Sequence, residues 1–169
     1  MFTHVHLGAS DVARSKRFYD ALFEALGGAT SWKDADRDRW FWRKDGLFLV
    51  VGEPLDKKPP NPGNGVTIGF SVESPERGDA WHRAGLANGG VSAEDPPGVR
   101  PHSAKGGIYL AYLRDPDGNK LCALKFMRAD RGLRRGPKAL AAVPVAGENG
   151  AFHPRRARIF RAGSGSGKP

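Results

Sequence analysis

His4 and His6 stand two residues apart in a run that alternates polar and apolar side chains. On a β-strand both imidazoles would share one face, with Val5 and Leu7 on the other. An imidazole titrates near neutral pH, so the pair can act as acid and base, ligate a metal, or simply hydrogen-bond to neighbours as inward core residues. Arg100-Pro101-His102 forms a second chemical cluster, in a Pro/Gly-rich stretch. Its guanidinium could clamp a substrate carboxylate and His102 could donate or take a proton, or the loop could be a solvated, proline-stiffened surface segment. Trp40 and Trp42 flank Phe41 on one strand, so both indoles share a face, suited to stacking on a planar ligand or to packing in a core or dimer. Cys122 is the single cysteine. As a nucleophile it would need a thiol pKa lowered by a nearby cation or helix N-terminus, and otherwise it is a small buried apolar residue.

The elements that must position these groups occur twice. Residues 4–28 read HVHLGASDVARSKRFYDALFEALGG and residues 66–90 read VTIGFSVESPERGDAWHRAGLANGG. Each copy is a short strand, a Ser and an acidic residue near a helix start, about four turns of helix, and a closing Gly-Gly pair. Two copies at this spacing indicate a duplicated module rather than a solenoid. The first half is expected to hold strands at residues 3–8, 29–33, 39–44 and 47–52, with a helix from Ser10 or Asp11 to about Leu26. Asp45-Gly46 is a two-residue hairpin signal. Residues 53–65 carry four prolines and read as a linker. The second half is expected to hold a strand at 66–73, a helix with Pro75 in its first turn running to about Asn88, a short strand near Val91, a loop over 95–107, and strands at 108–114 and 120–127. Asp115-Pro116-Asp117-Gly118-Asn119 is a well-specified turn, since Pro fixes φ and Gly or Asn tolerates positive φ.

Residues 4–27 at the start and YLRDPDGNKLCAL at 112–124, with the duplication between them, resemble the vicinal oxygen chelate superfamily. That group includes glyoxalase I, bleomycin resistance proteins, fosfomycin-resistance enzymes and extradiol dioxygenases. The resemblance covers residues 2–127. It implies an α+β fold of two βαβββ modules, about 1–58 and 63–127, whose sheets curl into an open half-barrel. It also implies a homodimer and a cleft for a small organic molecule. In metal-using members the ligands lie on four inward-facing strand positions. Carried over, they fall on His4, Thr67, Cys122 and a position near Val50, so only the first is retained. With so few donors no metal or other cofactor is expected. The resemblance then leaves two functions open: an enzyme of glyoxalase I-like lyase or related type with a degenerate metal site, or a non-catalytic drug- or metabolite-binding protein. His4 and His102 are the candidate catalytic residues. Arg100, His102, Trp40, Trp42, Thr67 and Cys122 are the candidate substrate contacts.

Composition narrows the partners. The formal net charge is +9, yet residues 128–169 hold 10 Lys/Arg against 2 Asp/Glu, leaving residues 1–127 close to neutral. A basic binding face on the domain is therefore not indicated, and nucleic acid is not an expected partner. No apolar run is long enough for a membrane span and no signal-peptide pattern opens the chain, which with a lone cysteine points to a cytoplasmic protein. The closing Gly163-Ser164-Gly165-Ser166-Gly167-Lys168-Pro169 lacks the Ser or Thr after Lys and the following helix that a phosphate-binding loop needs. The Arg155, Arg156, Arg158 cluster reads as a solvated tail. Residues 128–169 are rich in Gly, Pro and Arg with few bulky apolar side chains, so they are expected to be disordered. Limited trypsin digestion should trim the chain to a stable core ending near residue 128. A tail that resists trypsin, or whose removal lowers the melting temperature by several degrees, would contradict this expectation.

Overall fold

Asp11, in extended backbone, starts the first helix, its carboxylate accepting the Arg14 N–H at 2.8 Å. Helix α1, Val12–Ala25, buries Val12, Ser15, Phe18, Tyr19, Leu22 and Phe23, a stripe at helical spacing. It ends where Gly27 and Gly28 take φ of 89° and 88°. The Gly28 N–H returns to the Phe23 carbonyl at 2.8 Å, closing the last turn. Helix α2, Pro75–Ala87, is capped by Ser74 and carries proline at its first position. Its buried side is small: Gly78 and Gly85 flank Trp81 and His82. A Cβ at Gly85 would collide with Leu113 and crowd Leu22, so glycine lets this helix approach both the sheet beneath it and α1.

The computed structural model describes residues 2–101 and 106–127. The strands are β1 His4–Gly8, β2 Thr30–Lys33, β3 Arg39–Lys44, β4 Leu47–Gly52, β5 Ile68–Ser71, β6 Val91–Arg100, β7 Ile108–Arg114 and β8 Lys120–Phe126. With α1 and α2 they give the βαβββ order twice. The sheets repeat one topology, β1-β4-β3-β2 and β5-β8-β7-β6, each with a parallel first pair and antiparallel pairs thereafter. The β3–β4 hairpin turns at Asp45 and Gly46, whose φ values of 51° and 80° are those of the primed turn that this dipeptide favours.

Each sheet has a helix-covered outer face and an inner face. In the first, Trp42 pairs with Leu49 and Trp40 with Val51 on the side toward α1. Phe41, Phe48 and Val50 alternate onto the inner face with His4 and His6. In the second, Phe70 packs on Trp81 of α2, and the Tyr109 hydroxyl donates to Asp79 at 2.7 Å. The outer faces and both helices share one apolar core, joined across the modules by Phe23 against Phe70 at 6.0 Å.

Two expectations are corrected. β6 runs to Arg100 instead of ending near Val91. The register passes from Ala93 opposite Tyr112 to Gly98 opposite Leu110, so residues 94–97 bulge out between paired segments. Prolines 96 and 97 are tolerated there because a bulge asks for no ladder N–H, and Glu94 absorbs the turn at φ 57°. Thr67 lies one residue ahead of β5, exposed, rather than within a strand. His102 and residues 128–169 lie outside the described residues.

The two modules are fastened by the turn at residues 115–119. Asp115, 4% exposed, accepts the Tyr19 hydroxyl of α1 at 2.7 Å. It also takes the Asn119 side-chain amide and the backbone N–H groups of Asp117 and Asn119. Asp117 reaches the N-terminus of α1, where it accepts the Ser10 N–H at 3.0 Å, the Ser10 and Ser15 hydroxyls, and Arg14 at 3.2 Å. Beside the capping carboxylate of Asp11, one more than a hundred residues away thus complements that end of the helix dipole. Burial, followed by the Asp115 charge and hydrogen bond, pushes the Tyr19 phenol well above its ordinary value and keeps it a donor. Tyr19→Phe is expected to cost about 1.5–3 kcal/mol in urea unfolding, the worth of a hydrogen bond to a charged group. Asp115→Ala should cost more, because it strands several buried donors. Equal stability of Tyr19→Phe and wild type would show that the bond does not tie the modules.

Candidate functional site

β1 and β5, the first strands of the two modules, face one another across a groove of about 280 Å³. Phe23, Leu26, Trp42, Phe48 and Leu49 line its first-module side, and Ile68, Gly69, Phe70 and Ser71 its second-module side. His4, Lys44, Asp45 and Ser71 are the polar groups on an otherwise largely apolar wall. Gly69 contributes bare backbone, and a Cβ placed there would meet nothing within 4 Å. Gly69 thus brings no side chain to the lining. Aromatic walls with a few convergent polar groups are what small organic ligands require.

A second hollow, about 490 Å³, lies on the inner face of the first sheet, lined by Thr3, His4, His6, Trp32, Arg39, Phe41, Phe48 and Val50. His4 and Phe48 line both hollows. The His4 ring nitrogen Nδ1 is 3.0 Å from the Thr3 hydroxyl. His6 is held below the ordinary imidazole value by partial burial first, then by the charges of Arg39, His4 and Arg37. Trp32 and Phe41 stack at 5.2 Å with planes 3° apart, while the Arg39 guanidinium sits 5.3 Å from the Phe41 ring centre.

Trp40 and Trp42 lie on the helix side of the first sheet, and Trp42 also borders the groove. Trp42 is 1% exposed, stacks on Phe23, and donates its indole N–H to Asp20 of α1 at 3.0 Å. Trp40 lies under the Lys16 ammonium at 4.3 Å. Alternation placed them together as expected, but on the helix side. The planar surface of the inner face comes from Trp32, Phe41 and Phe48, which the same alternation along β3 and β4 could have identified.

Cys122 and Arg100 belong to the inner face of the second sheet. Cys122 is paired with Gly69 of β5 and Tyr112 of β7, and burial pushes its thiol up, which suits a packed thiol and not a nucleophile. Arg100 lies over the Tyr112 ring at 5.7 Å, with Lys120 over the same ring at 5.1 Å. Arg100 bonds the carbonyls of Asp95 and Pro96, Lys120 pairs with Glu94, and the Arg100 Nη1 is buried without a partner.

The four positions that the resemblance marks for a metal do not make a ligand set. An exposed imidazole, a hydroxyl ahead of β5, a buried protonated thiol and the aliphatic Val50 offer too few N, O⁻ or S⁻ donors for a divalent ion. Among the described residues no three His, Cys, Asp or Glu side chains converge as a metal would need. No described helix is long and apolar enough to cross a membrane.

The family model described as Glyoxalase/Bleomycin resistance protein/Dioxygenase superfamily matches residues 2–123. A crystal structure of a glyoxalase/bleomycin resistance protein from Albidiferax ferrireducens T118 is 48% identical, covering 73% of this chain and 97% of its own, with a TM-score of 0.65. A glyoxalase-related enzyme from Fulvimarina pelagi, 17% identical, shares the fold at a TM-score of 0.57, covering 73% of this chain and 86% of its own. So does a glyoxalase/bleomycin resistance protein/dioxygenase family enzyme from Burkholderia phytofirmans PsJN, at 15% identity and 0.57, covering 74% and 98%. None of the curated proteins matches this chain. With two four-stranded sheets, two helices and the repeated βαβββ order, this chain belongs to the glyoxalase/bleomycin resistance protein/dioxygenase superfamily.

Proposed function

We propose that the protein binds a small organic molecule in the cleft between its two modules. The observation that carries this reading is the groove between β1 and β5, walled by apolar side chains of both modules and continuous at His4 and Phe48 with the hollow on the first sheet. On this reading His4, which lines both hollows, exchanges a proton with the bound molecule, Ile68 to Ser71 wall it on the second module, and Arg100 and Thr67 are proposed as further contacts beyond the groove's lining. His102, outside the described residues, stays a proposed partner in such chemistry. The reading includes a cytoplasmic homodimer, in keeping with exposed Val5, Leu47 and Val66 beside the cleft.

Two activities fit such a cleft. One is an enzyme of lyase or related type that works without a full metal site, using His4 as acid or base. The other is sequestration without turnover, which the incomplete donor set favours. Turnover of the methylglyoxal–glutathione adduct that is abolished by His4→Ala would establish the first, and saturable binding without turnover the second.

Gly69→Leu tests the cleft itself. The added side chain points into open space, so the variant should melt within a few degrees of wild type while filling the groove. Compounds that raise the melting temperature of the full chain in a small-molecule screen are expected to lose that effect in Gly69→Leu. Compounds that stabilise both proteins equally would place binding elsewhere.

A further inference from the structure

We propose that the trough on the inner face of the first sheet takes a planar aromatic acid, its ring on Trp32, Phe41 and Phe48 and its carboxylate toward His6 and Arg39. This rests on the cleft-binding reading and names the class of molecule bound.

The floor of the trough is aromatic. Trp32 and Phe41 lie stacked, and Phe48 meets Trp32 edge-on at 5.9 Å, so three rings border one hollow. Trp32 remains 38% exposed, a large indole left accessible on an inner face. A flat ring can bury such surface at little conformational cost. Those rings alone would accept any flat apolar molecule.

Charge selects among them. Arg39 lies 5.3 Å from the centre of Phe41 and Arg43 lies 5.8 Å from the centre of Phe48, so the rings carry guanidinium groups at their faces. Asp34 engages Arg39 through two nitrogens, at 2.7 and 2.8 Å. Arg43 has no carboxylate partner among the described residues. Arg39 and Arg43 at the rings, with Arg37 acting on His6, set guanidinium groups around a hollow whose own lining holds no carboxylate. Partial burial is the first cause of the lowered proton affinity of His6 and the guanidinium groups of Arg39 and Arg37 add to it, so an anion there meets a neutral imidazole donor beside positive charge. A neutral aromatic gains the rings but not the field.

The test is calorimetric titration of the full chain with 2-naphthoate and with 2-naphthalenemethanol, which share a ring system and differ in charge. The acid is expected to bind about tenfold more tightly than the alcohol, because several cations act on it together. Arg43→Gln and His6→Gln should each weaken the acid by about threefold, the scale of one partly exposed charge, and leave the alcohol unchanged. Arg43 is exposed, so its replacement leaves the core intact. Equal binding of acid and alcohol would overturn the proposal while leaving the cleft reading standing, provided that Gly69→Leu still blocks ligands found by screening. Binding of neither compound, or acid binding indifferent to both substitutions, would overturn it as well.

Discussion

The buried carboxylate of Asp115 is the constraint on which the arrangement of the two modules depends. It lies at a turn between the last two strands of the second module, yet one of its ligands, the Tyr19 hydroxyl, comes from the first module's helix. A carboxylate taken out of water must be satisfied on most of its lone pairs, and four donors do this here. The requirement works in both directions. The turn keeps its shape because Asp115 binds the N–H groups of Asp117 and Asn119, and the helix is tied to it because the buried Tyr19 hydroxyl donates to the same carboxylate. Asp117, held in that shape, then meets the start of α1. Neither module could bury the apolar face of its helix and sheet without the other, and the turn sets the angle at which they meet.

That angle leaves the two inner faces uncovered by helix. The outer faces hold Trp42, Trp81, Tyr109 and the aliphatic core, all nearly inaccessible. The inner faces hold a different population: imidazoles, arginines and aromatic rings in cation–π contact, with Arg39, Arg43, Arg100 and Lys120 each lying over a ring. A surface of this kind adds little to stability, since its rings stay partly exposed and its ion pairs are at the surface. It is the composition expected of a face kept for a ligand.

Much of the fold was legible in the chain because its signals are local. A cap at Ser10 or Asp11, Pro75 in a first turn, the two Gly-Gly stops and Asp45-Gly46 each act within a few residues, and the structure has Asp11 as the cap and the others where the pattern put them. The turn at residues 115–119 was legible as a turn but not as a clasp, because its partners Ser10, Arg14, Ser15 and Tyr19 are a hundred residues away. The strand β6 was underread because its bulge hides behind two prolines that normally end a strand. For the site, alternation fixes which residues share a face but not which face looks inward. Trp40 and Trp42 do share a face, the helix side, where Trp42 packs in the core and also borders the groove, while Phe41, between them, lines the trough.

The central claim is that the clasp makes two modules into one cooperative unit. Native-state hydrogen exchange, resolved by residue, measures this directly. If the account is right, the slowest amides of β3 and β4 and those of β7 and β8 exchange with the same free energy, that of global unfolding, and Tyr19→Phe lowers both together. If one module opens at a distinctly lower free energy than the other in the wild-type protein, or if Tyr19→Phe loosens only the first, the modules are neighbours rather than a single folding unit and the account is wrong.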